Sequence, residues 1–218
     1  MEANRQSNYE ITKRQVQVEF CRFGMGKAAL RPGVRAEDGF LRMRMAGQDY
    51  RIRRADGFTE RFGVGSKIWE EADFNEVLTL CDLLTYPAPG AAAAGEYVLP
   101  QNLSLVHNVS AQAGEGSFDR LGAELDGKEE ALRRALERLG GVPCGKGDVA
   151  VRLPLWEAEG LYVLFSFWSA DEDFPAQAQF LCDRNLTQFM HYETVWYILG
   201  HWRERIREAV RAEEKQME

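Results

Sequence analysis

The sequence predicts an α+β fold: a mostly antiparallel sheet, made of a hairpin and a three-strand meander, with about three helices packed on it. Three stretches of the 218-residue chain carry that expectation. Leu161 to Trp168 reads LYVLFSFW, an almost continuous apolar run of strand length, rich in aromatic residues, as in a central strand buried on both faces. On either side of it Val149, Val151, Leu153 and Leu155 alternate, and so do Ala178, Phe180 and Cys182, with connections too short for crossover helices. Phe40 to Arg54, FLRMRMAGQDYRIRR, has a period-two pattern broken by Ala46-Gly47-Gln48-Asp49, which signals a hairpin.

Residues 1–38 are less legible. Val16, Val18 and Phe20 alternate as in a strand, while Ile11, Gln15, Val18 and Arg22 fit a short helix, so the segment stays unassigned. Phe23 to Lys27, FGMGK, fails as a phosphate-binding loop. Its first glycine would fall at Cys21 and its hydroxyl at Ala28, so a glycine turn is expected. Asp56-Gly57 turns the chain. Asp73 then caps a helix, Glu76 completes a capping box, and Phe74, Val77, Leu78, Cys81 and Leu84 form the apolar stripe, up to Pro87. PAPGAAAAG, residues 87–95, reads as a mobile loop, and Glu96 to Leu99 as a short edge strand. Asp126 with Glu129 has the spacing of a second capping box, ahead of the stripe Leu132, Ala135, Leu136 and Leu139, and Gly140-Gly141 ends that helix. Tyr192, Val195, Leu199, Trp202 and Ile206 share one face of a last helix, expected to fray from Arg211. The expected organisation is an N-terminal segment over 1–38, a single α+β domain over 39–210 and a solvated tail over 211–218.

Composition excludes several classes. Hydrophobic residues make up 45% and charged residues 28%, the balance of an ordinary globular chain. No apolar run approaches the roughly 20 residues that span a bilayer, and MEANRQSNYE is no secretory leader, so the expectation is a cytoplasmic protein with no membrane partner. Cys21, Cys81, Cys144 and Cys182 are widely spaced, without the C-x-x-C of a zinc ribbon or iron–sulphur cluster. Net charge is −7, but residues 1–67 hold 14 Lys and Arg against 8 Asp and Glu (+6), leaving 13 against 26 (−13) for the rest. An acidic chain is a poor binder of nucleic acid, so none is expected as a partner, and the two parts are expected to face each other.

Two stretches offer sites. If Met45 opposes Tyr50 across the hairpin, Arg44 meets Arg51 and Arg42 meets Arg53, and directly opposed like charges destabilise a sheet. Arg42, Arg44, Arg51 and Arg53 therefore need internal acids, open solvent or an anion, and they are the candidate site for an anionic small molecule or an acidic protein partner. Asp171, Glu172 and Asp173, with Asp183 ending the next strand, could offer oxygen ligands to a hard cation. Consecutive residues near a strand end point in opposite directions, so no metal is expected, and Asp171, Asp173 and Asp183 remain candidates only for the rival reading of a metal-assisted hydrolase. His107 reads as a solvated or satisfied histidine, and His191 and His201 lie nearly three helical turns apart, too far to share a metal. No catalytic residue and no cofactor is legible. The preferred reading is a binding or accessory module for an anionic ligand, a cofactor or an acidic partner.

Trp168 to Asp183 spells W-S-A-D-E-D-F-P-A-x-x-x-x-L-C-D, preceded by the apolar strand and followed some ten residues later by an acidic helix start. With the Gly47 hairpin, Gly95-Glu96-Tyr97-Val98, Gly140-Gly141 and Gly147-Asp148 in order, it resembles an uncharacterised domain family of unknown function found mainly in anaerobic bacteria, over roughly residues 35–200. Some members of that family are joined to iron–sulphur domains or associated with corrinoid and one-carbon metabolism, so the resemblance implies a cofactor-related role. It supplies no catalytic residues to carry over. This chain has no cysteine-rich region of that kind, and Cys182 stands where the resemblance expects a phenylalanine.

Overall fold

Asp38-Gly39 and Ala46-Gly47 each place two consecutive residues at positive φ, 49° and 78° in the first pair, 51° and 70° in the second. That is the backbone of a two-residue hairpin turn whose twist suits the strands it joins. The turns connect β1 (Arg35–Glu37), β2 (Phe40–Met45) and β3 (Gln48–Arg53), and β4 (Thr59–Phe62) and β5 (Trp69–Glu71) extend them into a five-stranded antiparallel sheet in sequence order. A second antiparallel sheet, ordered β6-β10-β9-β8-β7, contains β6 (Tyr97–Val98), β7 (Val142–Pro143), β8 (Val149–Trp156), β9 (Leu161–Trp168) and β10 (Gln177–Asp183). The computed structural model describes residues 2–63, 65–103 and 115–217; the expectation for His107 lies outside them.

The fold is α+β, as expected, but the hairpin and the meander belong to separate sheets. The first sheet was hidden because β1, β4 and β5 read RAE, TERF and WEE, charged sequences without the alternation that marks a strand. The hairpin register also differs. Because the turn has two residues rather than four, Arg42 opposes Arg51, Arg44 opposes Asp49 and Phe40 opposes Arg53.

Helices outnumber the three expected: α1 (Glu2–Glu19), α2 (Met25–Ala28), α3 (Phe74–Thr85), α4 (Glu115–Leu125), α5 (Glu129–Arg138) and α6 (Tyr192–Met217). The N-terminal segment is helical, and a π-helical turn over Phe20–Gly24 leads into α2, so FGMGK is helix rather than a glycine turn. Gly24 answers a packing need, since a Cβ there would come within 2.7 Å of Phe20 and of Thr85 on α3. α3 has its expected capping box: Asp73 accepts from the Glu76 N–H at 2.9 Å and Glu76 accepts from the Asp73 N–H at 2.6 Å. At α5 the expected box is absent. The N-cap is Lys128, and Asp126 and Glu129 are turned towards the acidic turn instead. α6 does not fray at Arg211; it continues to Met217, with Glu213 buried against Arg138 at 2.7 Å.

One apolar core joins the sheets. It takes Leu41, Met43 and Ile52 from the first, Val151, Leu153, Phe165 and Phe167 from the second, and Val195, Leu199, Trp202 and Ile206 from α6. The sheets meet at a β-bulge. Pairing between β8 and β9 skips Leu155, and its freed carbonyl accepts the Ala46 N–H at 2.9 Å, while Arg205 of α6 donates to the Ala46 carbonyl. The hairpin turn is thereby held between the second sheet and the last helix.

Burial separates the aromatics of the central strand: Phe165 and Phe167 are fully enclosed, whereas Trp168 is half-buried. Phe165→Ala should lower the unfolding free energy by about 3–5 kcal/mol, and Trp168→Ala by less than about half of that. Urea titration of both variants checks it, and equal losses would contradict the placement of the two rings.

Candidate anion-binding face

Directly opposed residues of an antiparallel sheet project to the same face. Across the outer face of the first sheet this rule produces a row from edge to edge: Arg35 opposes Arg42, Arg42 opposes Arg51, Arg51 opposes Glu60 and Glu60 opposes Glu71. Three guanidiniums thus run into two carboxylates. At the acidic end the charges are matched. Arg51 grips Glu60 through two hydrogen bonds of 2.7 and 3.0 Å, its guanidinium lying 4.6 Å from the Phe40 ring centre and 4.4 Å from that of Trp69. Lys13 of α1 reaches Glu71 at 2.8 Å. Arg53 is also matched, paired twice with Asp56, whose carboxyl it holds down at about 2.

At the other end the match fails. Arg42 and Arg35 share Glu37, each at 3.6 Å, too long for a hydrogen bond. The Arg42 Nε–H is shielded from solvent and finds no acceptor among the described residues. Arg44 donates to the Gly47 carbonyl at 2.9 Å, and approaches Asp49 and Glu157 only at 3.8 and 4.0 Å. These three arginines, with Asp49, Trp69 and the Gly33 backbone, line a groove of about 310 Å³ whose positive charge exceeds its negative three to one. The four arginines of the expected site therefore divide: Arg42 and Arg44 open on the groove, Arg51 is engaged by Glu60 of β4 and Arg53 by Asp56 of the β3–β4 turn. Arg35 escaped the sequence reading. The signal for it was Asp38-Gly39, a hairpin dipeptide that places Arg35 opposite Arg42.

The carboxylates of the acidic turn do not converge with Asp183. Asp171 folds back on its own turn, its Oδ1 accepting from the Asp173 and Phe174 N–H groups at 2.9 and 2.7 Å. Asp183 lies at the far end of β10, fully buried, and accepts from the backbone N–H groups of Ala94, Gly95 and Asn185. It pins the PAPGAAAAG segment, which was expected to be a mobile loop.

Asp73, Glu76 and His201 do converge, each offering a ligand atom within 4.8 Å of the others. Their surroundings suit a structural joint better than a metal centre, because the two carboxylates already face two guanidiniums. Glu76 accepts from the Tyr50 hydroxyl at 2.8 Å and from Arg61 at 3.2 Å, and Arg205 stands beside it in the same buried cluster. Burial, reinforced by the Arg205 charge, holds His201 down at about 4, so its ring is neutral at pH 7. Burial and the nearby Glu76 carboxylate push the Tyr50 hydroxyl well above its ordinary value.

Comparison with known proteins adds a family. A family profile covers residues 25–204, most of the chain. The chain belongs to the DUF3786 family, a domain of unknown function. The expectation of an uncharacterised domain family holds at that level. No curated protein matches the DUF3786 chain significantly. No solved structure does either. Among its described residues no helix is long and apolar enough to cross a membrane.

The matched and unmatched arginines of this DUF3786 chain should respond differently to neutralisation. Arg51→Gln strands the mostly buried Glu60 and should cost about 1–3 kcal/mol of stability, while Arg44→Gln should change it by less than about 0.5 kcal/mol. Thermal and urea denaturation of the two variants checks this, and a loss at Arg44 as large as at Arg51 would contradict the division.

Proposed function

We propose that this DUF3786 chain is a binding module for a compact oxyanion, a phosphate or carboxylate carried by a small molecule or by an acidic partner, received between Arg35, Arg42 and Arg44. The observation that carries the reading is Arg42: among the described residues its shielded Nε–H finds no acceptor, and the one carboxylate near it, that of Glu37, stands at 3.6 Å. A shielded donor left unmet is costly, and an anion that supplies two oxygens in the plane of the guanidinium removes that cost. The strands hold the three side chains on one face, so little freedom is lost on binding. Trp69 borders the groove, its ring 5.9 Å from the Arg42 guanidinium, and offers a flat wall to whatever carries the anion.

Arg51 and Arg53 enter this reading as supports. Arg51, fixed by Glu60 and sandwiched by Phe40 and Trp69, sets the position of the Trp69 ring that walls the groove. The rival reading of a metal-assisted hydrolase draws no support from the geometry, because Asp183 is engaged at the opposite end of β10 from the acidic turn.

Pyrophosphate is a suitable probe. Isothermal titration of the full chain at low salt should show saturable binding that weakens as salt rises, with Arg42→Gln weakening it by about tenfold or more and Arg53→Gln by less than about twofold. Binding that is insensitive to Arg42→Gln, or no saturation by pyrophosphate, would contradict the proposal.

A further inference from the structure

Beside the acidic turn lies a pocket of about 530 Å³ that plays no part in the arginine groove. Its walls include four aromatic residues, Trp168, Phe174, Phe180 and Trp196, from the end of β9, the turn itself, β10 and α6. Among the described lining residues Asp171 is the only charged one, and there is no lysine, arginine or histidine. The turn above it is unusually acidic. Glu172 and Asp173 are exposed there, and Asp126, Asp148 and Glu129 are drawn underneath by hydrogen bonds from the Ala170 N–H, the Ser169 N–H and the Ser169 hydroxyl.

Such a pocket repels anions and favours cations, because aromatic walls of low polarity focus the field of the surrounding carboxylates. The nature of the cation follows from the walls. A hard metal ion asks for several oxygen ligands, and the pocket offers one carboxylate, whose Oδ1 is already committed to two backbone N–H groups. Ring faces instead attract a diffuse, weakly hydrated organic cation. The commitment of Asp171 to its own turn also fixes where its charge points before any ligand arrives. Gln177 and Gln179, alternate residues on β10, line the same pocket, and no described group hydrogen-bonds to their side chains, which leaves them to meet polar atoms on the ligand's body.

We infer that this pocket binds an organic cation, an alkylated ammonium group on a polar body, seated against Trp168, Phe174 and Trp196 and facing Asp171. The site is independent of the arginine groove, so either can fail without the other.

Choline and its uncharged isostere 3,3-dimethyl-1-butanol separate charge from shape. Titrating the full chain with each, read by tryptophan fluorescence and calorimetry, should give saturable choline binding about tenfold or more tighter than that of the alcohol. Phe174→Ala removes a ring that is 65% exposed and so leaves the core intact, and Asp171→Asn keeps the Oδ1 acceptor of the turn while removing the charge. Each should weaken choline by about fivefold or more with the melting temperature unchanged. Equal binding of choline and the alcohol would overturn the inference, as would choline binding that neither substitution weakens, or no saturation by choline.

Discussion

Glu76 has no exposed surface, and the groups around it come from separate parts of the chain: Tyr50 of β3, Arg61 of β4, the N-terminal N–H of α3, and His201 and Arg205 of α6. A carboxylate so far from water is tolerated only if it is compensated by charge and hydrogen bonds. Compensating it requires the first sheet, α3 and α6 to be in place together. The hairpin turn reinforces the same junction, since Ala46 is bound on one side by the Leu155 bulge of the second sheet and on the other by Arg205. The two sheets are thus fixed to each other through polar groups at one corner and through the apolar core elsewhere.

Charge is distributed to match. The positive surplus of residues 1–67 meets acids of the remaining chain at Lys13–Glu71, Arg31–Glu159 and Arg61–Glu76, as the charge asymmetry suggested. Two places of opposite sign stand out beside those pairings. Arg35, Arg42 and Arg44 are left with loose ion pairs on the outer face of the first sheet, and the acidic turn closes the end of the second. These two places are where binding is proposed.

The meander was legible because β8 and β10 alternate apolar residues and β9 is an almost continuous apolar run, each over seven or eight positions, and α3 because its cap is local. Of the first sheet only the β2–β3 hairpin was legible, because β1, β4 and β5 are short and charged and owe their strand geometry to pairing rather than to side-chain pattern. Asp126 and Glu129 had the spacing of a capping box, yet Ala170 and Ser169 claimed them; a tertiary demand outweighed a local preference. Of the candidate arginines, the types and the face were readable, but not the partition between them, because that depends on a two-residue turn and on Glu60 and Asp56 arriving from further along the chain. Glu76 was read as a cap and is one, while its second role needs Tyr50, Arg61 and His201, which the sequence keeps far apart.

The most direct test of the central claim, that one buried carboxylate joins the first sheet, α3 and α6, is the equilibrium stability of Glu76→Gln against the parent chain. The substitution keeps size and leaves an oxygen acceptor for Tyr50 but removes the charge that compensates Arg61 and Arg205. A loss of about 3–5 kcal/mol, the range for breaking a buried ion pair from one side, is the outcome expected from the arrangement of these groups. Unfolding within about 0.5 kcal/mol of the parent would contradict it.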